Sequence, residues 1–205
     1  VFPCMREFQV EERGKLLKKV DNWCEKRQTR VEILVNDWGM TALVKESGKH
    51  LEPCLGVLLN KQKKDPRMRY KKGSTRGLGE SNLQADFYRT FLKDTYGITR
   101  YEWESCGYPQ VFPQGKNSLH LPYYQTNTSQ YCPLYASCTE GERGKQRLPE
   151  HCPGYCEQYV YLYPEHLHMA GRYNSLFGLD VELVKHPEKL KAYQQAGIDR
   201  LVIGL

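Results

Sequence analysis

Long apolar runs are missing from this sequence. No stretch reaches the roughly 18 consecutive apolar residues that a membrane-spanning helix needs. The first residues, Val1-Phe2-Pro3-Cys4-Met5-Arg6, lack the basic start and the apolar segment of a secretory signal peptide. The chain also begins without an initiator methionine. We therefore expect a processed product, a trimmed chain or part of a longer protein.

Familiar catalytic motifs and internal repeats are also missing. The sequence contains no nucleophile elbow, no phosphate-binding glycine loop and no His-Glu-x-x-His zinc motif. A composition of 40% hydrophobic and 26% charged residues fits one globular domain that spans residues 1–205.

Positive charge is in mild excess and is concentrated in one segment. The formal net charge is +6, which leaves open both a solvated basic surface and a polyanionic partner such as RNA. The long polar loop from Lys61 to Arg76 carries many of the basic residues, namely Lys61, Lys63, Lys64, Arg67, Arg69, Lys71, Lys72 and Arg76.

Short apolar runs alternate with amphipathic helical stretches along the chain. Residues 11–27 are predicted to form a helix whose apolar residues recur at spacings of three and four: Leu16, Leu17, Val20, Trp23 and Cys24. Further helices are predicted at 40–45, from the capping residue Ser81 to Gly97, and at 187–196. Strands are predicted at 1–8, 31–37, 54–60, 98–105, 119–125, 159–163 and 201–205.

This alternation of strands and helices predicts βαβ units and a parallel sheet. The expected fold class is α/β, with a TIM-barrel-like (β/α) architecture. A full barrel takes about 250 residues. We therefore expect an incomplete or open barrel, with a Cys-rich insertion at residues 128–160.

Half of the eight cysteines fall within one short segment, spaced as Cys132-x5-Cys138-x13-Cys152-x3-Cys156. Thiolates are soft ligands that select zinc, copper(I) and iron–sulfur clusters. Zinc sites commonly use two tight cysteine pairs, whereas only one pair here is tight, so the spacing favours a cluster over zinc. Disulfides and plain core thiols remain alternatives. Clustered thiols without a signal peptide also predict a reducing, cytoplasmic location.

Polar residues follow several predicted strands. Asp37, Asn60 and Glu104 each lie near the carboxyl end of a strand, where (β/α) barrels assemble their active sites. We take these three as candidate catalytic residues, with helix capping or solvent exposure as the alternative. His166 and His168 are alternative zinc ligands, or ordinary surface or hydrogen-bonded histidines.

Several motifs together resemble the collagenase-like U-32 peptidase family. They cover roughly residues 30 to 180 in the family's order. The most specific are Asn-Asp-Trp-Gly at 36–39, Leu-Leu-Asn-Lys-Gln at 58–62 and the cysteine segment. Weaker ones are Pro-Gln-Gly at 113–115, Ser-Leu-His-Leu-Pro-Tyr at 118–123, residues 128–133 and Gly-Arg-Tyr-Asn at 171–174.

The resemblance implies a TIM-barrel-like domain in a branch that looks closest to proteins of oxygen-independent ubiquinone hydroxylation. In that branch, a heterodimer of homologous chains hydroxylates the ubiquinone ring; related branches act on RNA bases. Four cysteines hold a 4Fe–4S cluster there, and Cys132, Cys152 and Cys156 match three of them. The fourth ligand is Cys138 locally, or Cys4 or Cys106 from farther away.

Two other functions remain open. One is a peptidase or another hydrolase of the same family, for which the sequence offers neither a nucleophile nor a metal-bound water. The other is a non-catalytic subunit in which zinc or a cluster only stabilises a long loop. A redox component in hydroxylation fits the motifs better than a peptidase does.

Overall fold

Five parallel strands form a curled sheet with the shape of half a barrel, in the order β1-β2-β3-β4-β9. The computed structural model describes residues 7–66, 77, 79–107, 110–129, 131–145, 147 and 151–204. Four further strands form an antiparallel sheet in the order β5-β8-β7-β6. The predicted α/β class is thus confirmed, and the sheet is compatible with an open β/α fold. Closure into a TIM-type barrel and the Cys-rich insertion remain predictions.

The elements follow one another along the chain with these bounds. The helices are α1 (Glu7–Arg27), α2 (Trp38–Ser47), α3 (Asp86–Tyr96), α4 (Pro133–Glu140), α5 (Val181–Lys185) and α6 (Leu190–Gln195). The strands are β1 (Val31–Val35), β2 (Leu51–Leu55), β3 (Arg100–Glu104), β4 (Lys116–Leu121), β5 (Tyr123–Thr128), β6 (Tyr161–Leu162), β7 (Met169–Arg172), β8 (Ser175–Leu179) and β9 (Arg200–Ile203). No helix in the described ranges is long and apolar enough to cross a membrane.

The two faces of the parallel sheet differ in chemistry. Side chains alternate between faces along a strand, and neighbours in a parallel register share a face. One face packs against α1, α2 and α3 around buried Leu55, Trp103 and Leu119. The opposite face, called here the inner face, carries mostly polar side chains from four of the strands: Glu32, Cys54, Arg100, Glu102, Glu104, Ser118 and His120.

Helix ends follow local sequence signals. Asp37 precedes α2, and its carboxylate accepts a hydrogen bond from the Met40 amide at 2.8 Å. Helix α3 ends at Gly97, as predicted, and Gly97 has a positive φ of 73°. A left-handed residue at this position suits glycine because it has no Cβ to clash.

The predicted strand at 54–60 is wrong in position. Strand β2 spans Leu51–Leu55. It does not continue past Leu55, because the Gly56 carbonyl accepts hydrogen bonds from the Leu59 and Asn60 amides in a turn. Those bonds turn the chain away from the sheet. An apolar run of this kind does not reveal where a turn begins.

Two other predicted strands also need correction. The single strand at 119–125 is two strands of different sheets, β4 and β5, separated at Pro122, which has no amide hydrogen for a sheet ladder. Of the strand predicted at 1–8, residues 1–6 lie outside the described ranges, and Glu7 and Phe8 begin α1. Strands β7 and β8 and helix α4 were not predicted, because their segments lack a clear apolar period.

Candidate functional site

Side-chain amides continue the sheet beyond the carboxyl end of β2. Strand β2 meets β3 at one register pair, Leu55 with Tyr101. Farther along, Asn60 Nδ2 donates to the Glu102 carbonyl at 2.9 Å. Asn60 is buried, and its Oδ1 has no hydrogen-bond partner among the described residues. The structure therefore places Asn60 against the main chain of β3, with one acceptor unused.

Glu104 lies at the carboxyl end of β3, as predicted, and its carboxylate is buried and paired. One oxygen contacts Lys64 Nζ, and the other accepts the Gln125 amide at 2.8 Å. A buried carboxylate without such partners would be strongly disfavoured. Lys64 thus forms an ion pair with Glu104 at the carboxyl end of β3.

A glutamate–histidine pair next to Glu104 was not predicted. His120 Nε2 lies 2.6 Å from Glu102 Oε2, with the carboxylate buried and the imidazole partly exposed. A carboxylate that bonds one ring nitrogen fixes the orientation of the imidazole. The alternation of Glu102 and Glu104 along β3 was a signal for a shared face, but only the register with β4 brings His120 beside them.

Ion pairs lie on the inner face at the amino-terminal ends of the parallel strands. Arg100 donates to Glu32 Oε1 at 3.0 Å and to both Asp199 oxygens at 2.7 and 3.0 Å. The Arg200 hydrogen bond lowers the pKa of Glu32, and the Arg100 hydrogen bond lowers the pKa of Asp199. The carboxylates on this face therefore offset the buried guanidinium of Arg100.

Burial has the opposite effect on Cys54, which lies on the same face. Burial first, and then the charges of Glu32 and Glu102, raise the pKa of this thiol to about 12. Cys54 is therefore a protonated core thiol and an unsuitable nucleophile.

Asp37 has a structural contact that accounts for its carboxylate, since it caps α2. Its neighbour Asn36 uses Oδ1 to accept the Leu58 amide at 3.1 Å, which ties the end of β1 to the turn after β2. The catalytic role assigned to Asp37 remains a prediction, and the helix-capping alternative is the one with a geometric basis.

The β7–β8 turn contacts two of the predicted cluster ligands. Cys132 is the residue that precedes α4, and its thiol donates to the Tyr173 carbonyl at 3.3 Å. Arg172 Nε donates to the Cys156 carbonyl at 3.4 Å. Burial, followed by the charges of Cys152 and Cys132, raises the pKa of Cys156. The structure therefore places Cys132 and Cys156 against adjacent residues, Tyr173 and Arg172.

The remaining cysteines divide between two places. Cys138 lies exposed on α4, whose residues pack near the turn that contains Cys156. Cys106 follows β3, and Gln110 Nε2 donates to its sulfur at 2.9 Å. Cys4 lies outside the described residues. The assignment of Cys138 as the fourth ligand remains a prediction.

The described residues do not form a preformed metal-binding site. No group of three or more His, Cys, Asp or Glu residues among them is placed to hold a metal ion. The described cysteines form no disulfide bonds with one another. His166 and His168 lie on a short turn between β6 and β7.

The described lysines of the basic loop contact the protein itself. Lys61 donates to the Leu58 carbonyl at 3.1 Å and Lys63 to the Gly77 carbonyl at 2.6 Å, while Lys64 pairs with Glu104. Residues 67–76 of this loop lie outside the described ranges.

Comparison of this chain with protein-family models, with curated proteins and with solved structures gives no match. The resemblance to the U-32 peptidase family therefore remains a prediction from sequence motifs.

Proposed function

We propose that this chain is an iron–sulfur protein that acts in oxygen-independent hydroxylation, on a ubiquinone-type ring or on an RNA base. The observation that supports the proposal is that Cys132 and Cys156 contact the adjacent residues Tyr173 and Arg172, the first through its thiol and the second through its carbonyl. Together with Cys138 and Cys152 they lie within one segment of 25 residues, and Tyr173 and Arg172 contact two of the four from later in the chain. These contacts suit one soft-metal centre better than separate core thiols.

The donor set fits a cluster in its chemistry. Thiolates are the ligands of 4Fe–4S clusters, and Cys138 would complete a set of four. Burial first, and then the charges of Cys152 and Cys132, raise the pKa of Cys156. A bound cation would relieve this repulsion between thiolates. Because the described thiols do not form a metal geometry by themselves, binding would draw them closer together.

A bound cluster would supply one-electron transfer, whereas the surrounding residues would position a substrate. A cavity of about 300 Å³ is lined by Arg172 and Tyr173, the two turn residues that contact the cysteines. Its other walls are largely apolar and include Tyr123 and Phe177. A flat ring placed there would lie next to Cys132 and Cys156, with the Arg172 guanidinium within reach of a polar substituent.

The test is the content of iron, zinc and acid-labile sulfide in protein purified without oxygen, together with a visible spectrum. We expect about four iron and about four sulfide per chain. Cys152→Ser and Cys156→Ser should each lose the visible absorbance, whereas Cys24→Ser, in the core of α1, should keep it. About one zinc without sulfide would replace the redox function by a structural site.

Retained absorbance after both ligand substitutions would remove these cysteines from the proposal. An RNA substrate is the second form of the proposal, and only the basic loop motivates it. Binding of a structured RNA that weakens steeply with salt would support this form, and a flat salt response would exclude it.

A further inference from the structure

The connection between β3 and β4 contains no helix among its described residues, although parallel strands are usually joined through one. A cavity of about 470 Å³ lies where this connection, residues 105–115, meets helices α5 and α6. This volume falls within the range of pockets that hold small organic molecules. The described residues that line the cavity include none from the cysteine segment, so the cavity is separate from the proposed cluster site.

The walls of this cavity are mainly apolar. Phe112 lines it from the β3–β4 connection, with its ring edge-on to the ring of buried Trp103 at 5.0 Å between centroids. The ring of Tyr193 on α6 is 6.1 Å from that of Phe112, and buried Leu183 of α5 adds an aliphatic side chain. Such surfaces contact the apolar part of a ligand. The cavity therefore suits a molecule with an aromatic body.

Gln110 contributes a buried hydrogen-bond acceptor to the cavity. Its Nε2 donates to the Glu104 carbonyl at 2.9 Å, and this contact fixes the orientation of the amide because a carbonyl can only accept. Gln110 Oε1 is buried and has no hydrogen-bond partner among the described residues. A buried acceptor is costly until a donor reaches it. The cavity thus favours a ligand that carries a donor group.

Asp180 adds a negative charge to the same cavity. This residue is 2% exposed, and its carboxylate accepts the Gly107 and Leu183 amides, each at 3.1 Å. These amides do not neutralise its charge. Lys189, a cation at the cavity, pairs with Glu182 at 3.1 Å, and Asp180 itself forms no ion pair within the described part of the chain. Because buried charges are normally paired, Asp180 favours a cationic ligand.

The Tyr193 hydroxyl is a third polar group near the other two. Burial first, and then the charges of Asp180 and Cys106, raise the pKa of Tyr193, so the hydroxyl stays protonated at neutral pH. The effect of the Asp180 charge places the two side chains close together. A phenol oxygen can accept a hydrogen bond as well as donate one. Three acceptor groups from three separate segments therefore surround this cavity.

We propose that this cavity binds a small organic molecule that carries a primary ammonium group on an aromatic body. An ammonium group has three N–H donors and no acceptor, which matches the Asp180 carboxylate, Gln110 Oε1 and the Tyr193 hydroxyl. The aromatic body would pack against Phe112 and Leu183. A cation next to aromatic rings gains further stabilisation from their π-electrons. Binding does not depend on a cluster, so its test is separate from that of the proposed function.

The experiment is calorimetric titration of the full chain with phenethylamine at neutral pH and low salt. We expect saturable binding at one site. Phenethyl alcohol, which lacks the charge, and phenylacetate, which reverses it, should each bind at least about tenfold more weakly. Ethylamine, which lacks the ring, should also bind more weakly, because it leaves the apolar walls uncovered.

Two variants locate the site. Tyr193→Phe keeps the ring and removes one acceptor, so the affinity for phenethylamine should fall by about fivefold. Ala192→Leu enlarges a cavity-lining side chain at an exposed position of α6 and should abolish binding. The matched control is Gln194→Leu, an exposed position of the same helix outside the cavity lining, which should bind like the wild type. Circular dichroism should show unchanged secondary structure in all three variants.

Three results would overturn the proposal. The first is the absence of saturable phenethylamine binding to the wild-type chain. The second is equal affinity for the amine, the alcohol and the acid, because the charge of Asp180 would then have no effect. The third is unchanged affinity in Ala192→Leu, which would place the bound amine outside this cavity.

Discussion

The side-chain amide of Gln62 pairs with both main-chain groups of Glu104. Gln62 Nε2 donates to the Glu104 carbonyl at 2.7 Å, and the Glu104 amide donates to Gln62 Oε1 at 3.1 Å. This is the bonding pattern that a neighbouring strand would provide. The Leu-Leu-Asn-Lys-Gln motif thus has a structural explanation, since Asn60 and Gln62 extend the sheet after β2 has turned away.

Replacing Gln62 by leucine should destabilise the protein by about 1–3 kcal/mol, because the Glu104 amide loses its partner while the Glu104 carbonyl keeps only Gln110 Nε2. Urea unfolding monitored by circular dichroism measures the change. The control is Gln84→Leu, which removes an exposed hydrogen bond from Gln84 Nε2 to the Val111 carbonyl. Equal effects at the two positions would contradict the importance of the Glu104 pairing.

Asp37→Ala should lower the free energy of unfolding by about 1 kcal/mol, because it removes the N-cap of α2. Asp37→Asn should cost much less, because asparagine caps a helix about as well as aspartate. Thermal or urea unfolding of both variants gives the comparison. If Asn is as destabilising as Ala, the carboxylate has a role beyond capping.

Acid should weaken the inner-face ion pairs. The pKa values of Asp199 and Glu32 are lowered in the folded protein, so their stabilisation is present above their ordinary values of 3.8 and 4.5. It is lost as pH falls through the lowered folded-state values. Asp199→Asn should therefore make stability less dependent on pH in this acid range.

Urea midpoints from about pH 7 to about pH 3 test this expectation. Because Asp199 is partly exposed, solvent screens its pair and the change should be modest. The control is Asp86→Asn, which removes an exposed carboxylate paired with Arg89 on α3. If the stability of Asp199→Asn keeps the full pH dependence of the wild type, the ion pair of Asp199 with Arg100 does not contribute to it.

The cysteines should react with iodoacetamide in an order set by exposure. Cys138 and Cys152 are exposed and should be labelled first in the metal-free native protein. Cys24 and Cys54 are buried and should be labelled last, and burial raises the pKa of Cys54 to about 12. Peptide mass spectrometry after timed labelling measures the order.

Labelling in urea serves as the control, because unfolding should make all sites react alike. Fast native labelling of Cys54 would show that the inner face opens to solvent. Protection of the four cysteines of the segment after anaerobic loading with iron and sulfide would support their role as ligands.

Local sequence signals predicted the elements whose contacts are local. The prediction of helix α1 from its apolar spacing and the prediction that α3 ends at Gly97 were correct, because helix formation depends on neighbouring residues. The alternation of strands and helices likewise predicted a parallel sheet. The strand at 54–60 was misplaced because its end depends on a turn around the Gly56 carbonyl.

The sequence by itself determined the β/α class, the polar residues near the carboxyl ends of the strands and the concentration of thiols between 132 and 156. Only the tertiary structure decided which of these residues meet. The His120–Glu102 pair depends on the register of β3 with β4, and the contacts of Cys132 with Tyr173 and of Cys156 with Arg172 depend on where β7 and β8 meet. Such contacts join residues distant along the chain. They form when the sheets bury their apolar faces, which no local pattern records.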